Sequence, residues 1–236
     1  MMNGPIETLL FDFGGTLDAD GVAWKERFHA LYRADGLDVA GEAFTPAFYA
    51  ADDPLVGSLP PKTDLSGTVD ALTVNLENEL ARRCAGKMVA SGSDRGRRIA
   101  SGFMSDCVAT FERNRPVLKA LSERYRLGIV SNFYGNLEAV CESAGLCPFF
   151  KVMVDSHCVG AAKPDPAIFH AALERLEATP EKTVLIGDSL RRDGEGARRM
   201  GMRFIWVAPQ DVQAKQSERQ AKSAVTDLRD VAKVLQ

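Results

Sequence analysis

Four short segments carry side chains suited to chemistry on an anionic group. Asp12 follows the apolar run IETLLF (6–11) and is itself followed by Gly14, Gly15 and Thr16. Ser131 and Asn132 end LGIVSN, Lys163 precedes Pro164, and TVLIGD (183–188) ends in Asp188, with Asp193 close behind. In an open parallel sheet, ligands bind beyond the carboxyl ends of the strands. Strands ending this way gather two or three carboxylates, one ammonium, one hydroxyl and the amides bared by a glycine turn. That set suits a hard divalent cation held beside a phosphate-like anion. Mg²⁺ takes one or two carboxylates and keeps several waters, while lysine and backbone amides offset the anion's remaining charge.

The elements that must position these groups are legible from residue 114 onward. Asn114 is expected to cap a helix with Pro116 in its first turn. The strand LGIVSN follows, then a helix from Leu137 to Ala144 stopped by Gly145. KVMVDS (151–156) reads as a strand, and Asp165 as the cap of a helix that starts at Pro166. TVLIGD and RFIWVA (203–208) are further strands; 211–223 is polar, and 224–235 is expected to form a final helix. Alternating helix and strand units of this length imply a doubly wound parallel sheet of α/β class, covered on both faces. Residues 22–112 read differently. Apolar stripes at helical spacing (Trp24, Phe28, Tyr32; Leu65 to Leu80; Ile99 to Phe111) alternate with breaks at 52–62 and 85–94. The expected organisation is a Rossmann-like core from 1–17 and 114–236, with a helical domain inserted at 18–113.

Bulk properties exclude several classes. At about 150 residues per domain, the 236 residues fit one large domain or a core with a small inserted domain. A net charge of −3 leaves no basic excess for a nucleic-acid backbone. No apolar stretch is long enough for a membrane span, and the first residues lack the pattern of a signal peptide. Five cysteines without a CxxC pair fit a reduced, cytoplasmic protein. His29, His157 and His170 are too scattered for a metal site. The stripe Trp24, Phe28 and Tyr32 reads as packing, and the arginines at 95–98 and 191–199 as solvated faces.

FDFGGTL, IVSN, KPDP with its following IF, and IGDSLRRD occur in the order of the four motifs of the haloacid-dehalogenase-like (HAD) hydrolase superfamily. The resemblance implies a Rossmann-like HAD core with a helical cap inserted after the first motif. It also implies roles: Asp12 as the nucleophile forming an aspartyl intermediate, and Mg²⁺ held by Asp12, Asp188 and the backbone of Gly14, with Asp193 nearby. Ser131 and Lys163 would hold the transferring group, and Thr16 and Asn132 would orient the site. The chain departs from the phosphatase pattern Asp-x-Asp at Gly14, where the family's second Asp handles a proton. Asp18, Asp20, Glu26 and His29 are the sequence-near candidates to replace it.

The expected function is a Mg²⁺-dependent phosphatase for a small phosphorylated metabolite, acting as a monomer or homodimer without nucleic-acid or membrane partners. Substrates with good leaving groups, such as acyl or enol phosphates, would need no acid in the first step. Gly14 keeps other readings open. One is a non-catalytic or weakly active phospholigand-binding protein. Another is a phosphonatase-type hydrolase using a cap lysine, for which Lys25, Lys62 and Lys87 are available. A third is a dehalogenase, against which the acidic pair Asp188 and Asp193 tells.

Overall fold

The computed structural model describes residues 5–83, 93–215 and 223–235. Six parallel strands form one sheet in the order β3-β2-β1-β4-β5-β6. They are β1 (Thr8–Phe11), β2 (Arg126–Ser131), β3 (Val152–Asp155), β4 (Thr183–Gly187), β5 (Arg203–Val207) and β6 (Ala224–Val225). β1 and β4 are buried throughout, as apolar runs covered on both faces should be. The chain leaves β1, builds β2 and β3 on one side, then crosses to β4 on the other. The carboxyl end of β1 is therefore the topological switch point, where an α/β sheet opens a crevice.

Among the described residues, four α-helices lie between β1 and β2: α1 (Trp24–Ala34), α2 (Gly41–Asp52), α3 (Leu65–Arg83) and α4 (Ser93–Ser122). Between and after the later strands come α5 (Leu137–Ser143), α6 (Ser156–Val159), α7 (Pro166–Arg175), α8 (Glu195–Met200), α9 (Gln210–Lys215) and α10 (Val231–Val234). One side of the sheet packs Leu10, Val130 and Leu185 against Ile168 and Phe169 of α7. The other carries Phe11, Ile129 and Ile186 into a core that continues through Phe13, Trp24, Phe28 and Phe103. The helical block and the sheet thus share one apolar interior. Within it, Phe28 stacks on Phe103 at 4.5 Å between ring centroids.

Three expectations change. Asn114 caps nothing: α4 runs unbroken through it and through Pro116. Its side chain is fully buried and its amide has no hydrogen-bond partner. The apolar series Ile99, Phe103, Cys107, Phe111 and Leu118 faces one continuous core, which overrides the local capping signal. The expected boundary at 113/114 therefore falls inside a helix. The single helix expected at 224–235 is instead a short strand, a 3₁₀ turn (Leu228–Asp230) and α10. The edge of β5 needs those residues: Trp206 donates its backbone N–H to Ser223 and Ala208 to Val225. The break expected at 52–62 is present as a 3₁₀ turn and loop between α2 and α3; the one at 85–94 lies largely outside the described residues. Asp165 does cap α7, accepting from Ala167 N at 2.9 Å.

Phe28→Ala should cost about 3–5 kcal/mol of unfolding free energy. Val74→Ala, on the exposed face of α3, should stay within about 0.5 kcal/mol. Urea titration of both variants checks this; equal costs would contradict a shared interior.

Candidate active site

Asp12 stands one residue beyond β1, where its backbone N–H donates to Ile186 of β4 at 2.9 Å. Ser131 ends β2 beside it, and its hydroxyl donates to Asp12 Oδ1 at 3.0 Å. Lys163 Nζ donates to the same oxygen at 2.6 Å and to Asp193 Oδ1 at 2.6 Å. Asp12 Oδ2 has no hydrogen-bond partner among the described residues. One carboxylate oxygen is thus fixed by two donors and the other is left open. Asn132 makes no hydrogen bond to Asp12 among the described residues. Its side-chain amide donates to Lys163 O at 3.2 Å and its oxygen accepts from Lys163 N at 2.7 Å, so it clamps the lysine's backbone.

The turn after β4 supplies the remaining acids. Asp193 is fully buried in a π-helical turn (Leu190–Gly194) and accepts from Ser189 N at 3.0 Å. Asp188 Oδ1 is buried and has no hydrogen-bond partner among the described residues. Oxygens of Asp12, Asp188 and Asp193 lie within 4.8 Å of one another. Gly15 is required beside them: its φ is +91°, and a Cβ there would stand 2.5 Å from Asp188 Oδ2. Burial opposes the charge on Lys163, but Asp12 and Asp193 outweigh it and hold the lysine pKa above its usual value. Asp188 is pushed well above the carboxylate range, by burial first and then by Asp12 and Asp193. Three crowded carboxylates with one ammonium, and one carboxylate oxygen orphaned, fit a hard divalent cation.

Thr16 is less involved than expected. It is buried beneath the turn, its hydroxyl has no partner, and it does not line the cavity in front of Asp12. Gly14 does line that cavity of about 200 Å³, together with Asp12, Ser131, Asn132 and Lys163. Trp24 crowds the position of residue 14: a Cβ there would stand 3.2 Å from the indole Nε1, so the ring would have to give by a few tenths of an ångström. The indole N–H is committed to Asp18 Oδ2 at 2.6 Å. Asp18 also accepts from Gly15 N at 2.6 Å and Arg27 Nη1 at 2.8 Å, and Arg27 reaches back to Phe103 O at 3.3 Å on α4. Asp18 is therefore a buried anchor for the glycine turn, not a free acid. Asp20 pairs with Arg113 at 2.7 Å, and His29 contacts Val39 O and stacks on Phe44. Of the four sequence-near candidates only Glu26 lines the cavity; it is exposed and paired with Lys25 at 3.0 Å.

Two expectations about the surroundings change. Trp24 is both packing residue and cavity wall, beside Phe133 and Tyr134. Arg192, expected on a solvated face, also lines the cavity, and its guanidinium has no hydrogen bond or ion pair among the described residues. Desolvation works against its charge, and Asp12, Asp188 and Asp193 more than restore it. The run of arginines masked this signal. Its neighbours Arg198 and Arg199 are tied to Glu195, while Arg95 and Arg98 are tied to Asp35.

This arrangement agrees with the comparisons to known proteins. The model of the haloacid dehalogenase-like hydrolase family matches residues 6–201, and the chain belongs to that family. It is 43% identical over 83 residues to haloacid dehalogenase-like hydrolase domain-containing protein 3 of Bos taurus, covering 35% of this chain and 33% of the relative. It is 30% identical over 130 residues to the glyceraldehyde 3-phosphate phosphatase of Pyrococcus furiosus, covering 52% of each. The matches thus span about a third to a half of these relatives' length. Among solved structures, the magnesium-bound HAD-hydrolase YfnB of Bacillus subtilis superposes with a TM-score of 0.57 at 18% identity, over 98% of this chain and 99% of that one. A HAD phosphatase from Thermococcus onnurineus gives 0.54 at 23% identity, over 98% of each. These structural likenesses show the fold.

Without added metal, Asp188→Asn should raise Tm by about 2–4 °C, the equivalent of about 1 kcal/mol of relieved repulsion in a chain of this size. It should also remove the further rise that Mg²⁺ gives the parent protein. Differential scanning calorimetry with EDTA or Mg²⁺ reads both; an unchanged Mg²⁺ response in the variant would contradict the acidic cluster as the cation's seat.

Proposed function

We propose that this protein is a Mg²⁺-dependent phosphatase acting on a small phosphorylated metabolite through an aspartyl-phosphate on Asp12. The observation that carries this reading is the asymmetry of the Asp12 carboxylate: Oδ1 is held by Ser131 and Lys163, Oδ2 has no hydrogen-bond partner among the described residues, and Asp12 lines a cavity. A nucleophile fixed by one oxygen and free at the other splits one displacement into two easier ones. Oδ2 attacks phosphorus, the bond to the leaving oxygen breaks, and water later displaces the aspartate as inorganic phosphate leaves. Lys163 and Ser131 neutralise and orient both the carboxylate and the transferring group. Asn132 is a positioning residue acting through the Lys163 backbone. Asp12, Asp188, Asp193 and the backbone at Gly14 are the groups that would hold Mg²⁺, which when bound supplies positive charge to the phosphoryl oxygens. Arg192 and Lys25, on the cavity wall, favour an anionic substrate. Relatives named as phosphatases support the same class. The helices between β1 and β2 act as the cap closing this cavity, and the free thiols of Cys107, Cys141, Cys147 and Cys158 support a cytoplasmic setting. Among the described residues no helix is long and apolar enough to cross a membrane.

A second reading has one observation in its favour. Lys25 lines the same cavity as Asp12, as a phosphonatase-type Schiff-base lysine would have to. Lys62 does not line it, and Lys87 lies outside the described residues.

With Mg²⁺ and a panel of phosphate monoesters and acyl phosphates, Asp12→Asn should lower turnover by about 10⁴-fold or more. Equal turnover by parent and variant would reject Asp12 as nucleophile. Borohydride added with a carbonyl phosphonate should leave Lys25 unmodified and activity intact; substrate-dependent reduction onto Lys25, read by peptide mass spectrometry, would favour the second reading.

A further inference from the structure

Gly14 removes the side chain that would hand a proton to the leaving group, and a Cβ at that residue would already stand 3.2 Å from the Trp24 indole, which crowds that position. The proton must then come from another wall of the cavity. Two carboxyl groups outside the acidic cluster line it, Asp52 and Glu26. Glu26 is exposed and salt-bridged to Lys25. Asp52 is different. It is the last residue of α2, half-buried, and its Oδ1 accepts from the hydroxyl of Tyr134 at 2.5 Å. Tyr134 follows β2 closely, so this bond joins the helical block to the strand end that carries Ser131. The end of α2 is further fixed by Asn75, whose side-chain amide donates to Ala51 O at 3.1 Å. Asp52 Oδ2 has no hydrogen-bond partner among the described residues. We infer that Asp52, oriented by Tyr134, is the proton donor and acceptor of this site, in the role that Gly14 vacates.

The inference rests on the phosphatase reading and deepens it. In the first half-reaction Asp12 Oδ2 bonds to phosphorus, the phosphorus–oxygen bond to the leaving group breaks, and the Asp52 carboxyl gives its proton to that departing oxygen. In the second, the Asp52 carboxylate takes a proton from water as the water oxygen bonds to phosphorus. The bond to Asp12 breaks, phosphate is released, and both aspartates return to their starting states. The surroundings suit an acid that starts protonated. Burial pushes the Asp52 pKa up, the Tyr134 hydrogen bond pulls it down, neighbouring Asp53 raises it and Arg192 lowers it, with a net rise. Lys25, Glu26 and Tyr49 are the other ionisable groups on the helical wall.

The test compares p-nitrophenyl phosphate, whose leaving group departs without a proton, with glycerol 3-phosphate, whose leaving group needs one. In Asp52→Asn, p-nitrophenyl phosphate should still give a burst of about one equivalent of nitrophenolate, followed by steady-state turnover about 10²–10⁴-fold below the parent. Glycerol 3-phosphate should give no burst. Asp52→Glu should recover part of the rate. Tyr134→Phe keeps the carboxyl but removes the donor that favours its charged form, so the basic limb of the single-turnover pH profile should move upward. Equal slowing of both first steps in Asp52→Asn, or steady-state rates near the parent's, would overturn the assignment to Asp52. An unmoved basic limb in Tyr134→Phe would do the same if Asp52→Asn does not fold. A parent protein that turns over neither substrate and never phosphorylates Asp12 would instead overturn the phosphatase reading itself.

Discussion

A single buried ammonium holds this site together. Lys163 reaches from the segment after β3 to Asp12 beyond β1 and Asp193 after β4, at 2.6 Å in each case. All three side chains are almost wholly withdrawn from water, so each charge would be costly alone. The lysine offsets part of that cost, and the third acid, Asp188, is left with a buried oxygen that nothing satisfies. The cluster is therefore over-acidic in the protein alone. Groups that strain a fold in this way cluster at functional sites, and the proposed Mg²⁺ would supply the positive charge that these carboxylates call for. Much else follows from keeping the ammonium in place: the Asn132 clamp on the Lys163 backbone, the switch-point position of β1, and the glycine at residue 15.

A second constraint sets what stands before the cluster. Asp18 gathers donors from the glycine turn, from α1 through Trp24 and from Arg27, which in turn binds α4. Four hydrogen bonds, from Gly15 N, Trp24, Arg27 and the Cys107 thiol, offset part of its desolvation, and the Arg27 guanidinium also lies over the Phe103 ring; burial still leaves the Asp18 pKa raised. This anchor sets the indole against Gly14. Gly14 and the bulky tryptophan are neighbours: with Trp24 held there, a Cβ at residue 14 would be crowded at 3.2 Å. The helices between β1 and β2 consequently build a wall of the cavity and share the interior of the sheet.

Asp12 and Asp188 are legible in the sequence because each stands just beyond an apolar strand run, a position that strand periodicity locates; Asp193, in the turn after β4, is legible only through the motif IGDSLRRD. The parallel sheet was legible for the same reason. Asp18 and Arg192 were not, because their roles depend on contacts across long sequence separations. Asp18 looks like a free acid until Trp24 and Arg27 arrive, and Arg192 is hidden among arginines whose neighbours are tied to Glu195. The cap expected at Asn114 is absent although a capping residue followed by Pro116 is a strong local signal. A continuous apolar face from Ile99 to Leu118 outweighs it. The tail misled because its pairing with β5 answers to the needs of a sheet edge, not to helical periodicity.

The most direct test is a crystal structure grown with Mg²⁺ and beryllofluoride, a stable mimic of a phosphoryl group on a carboxylate. Density for the mimic bonded to Asp12 Oδ2, with Lys163 and Ser131 still on Oδ1 and Mg²⁺ against Asp188, is the expected result. A metal seated away from Asp188, or a mimic that leaves Asp12 unmodified while Mg²⁺ is bound, would contradict it.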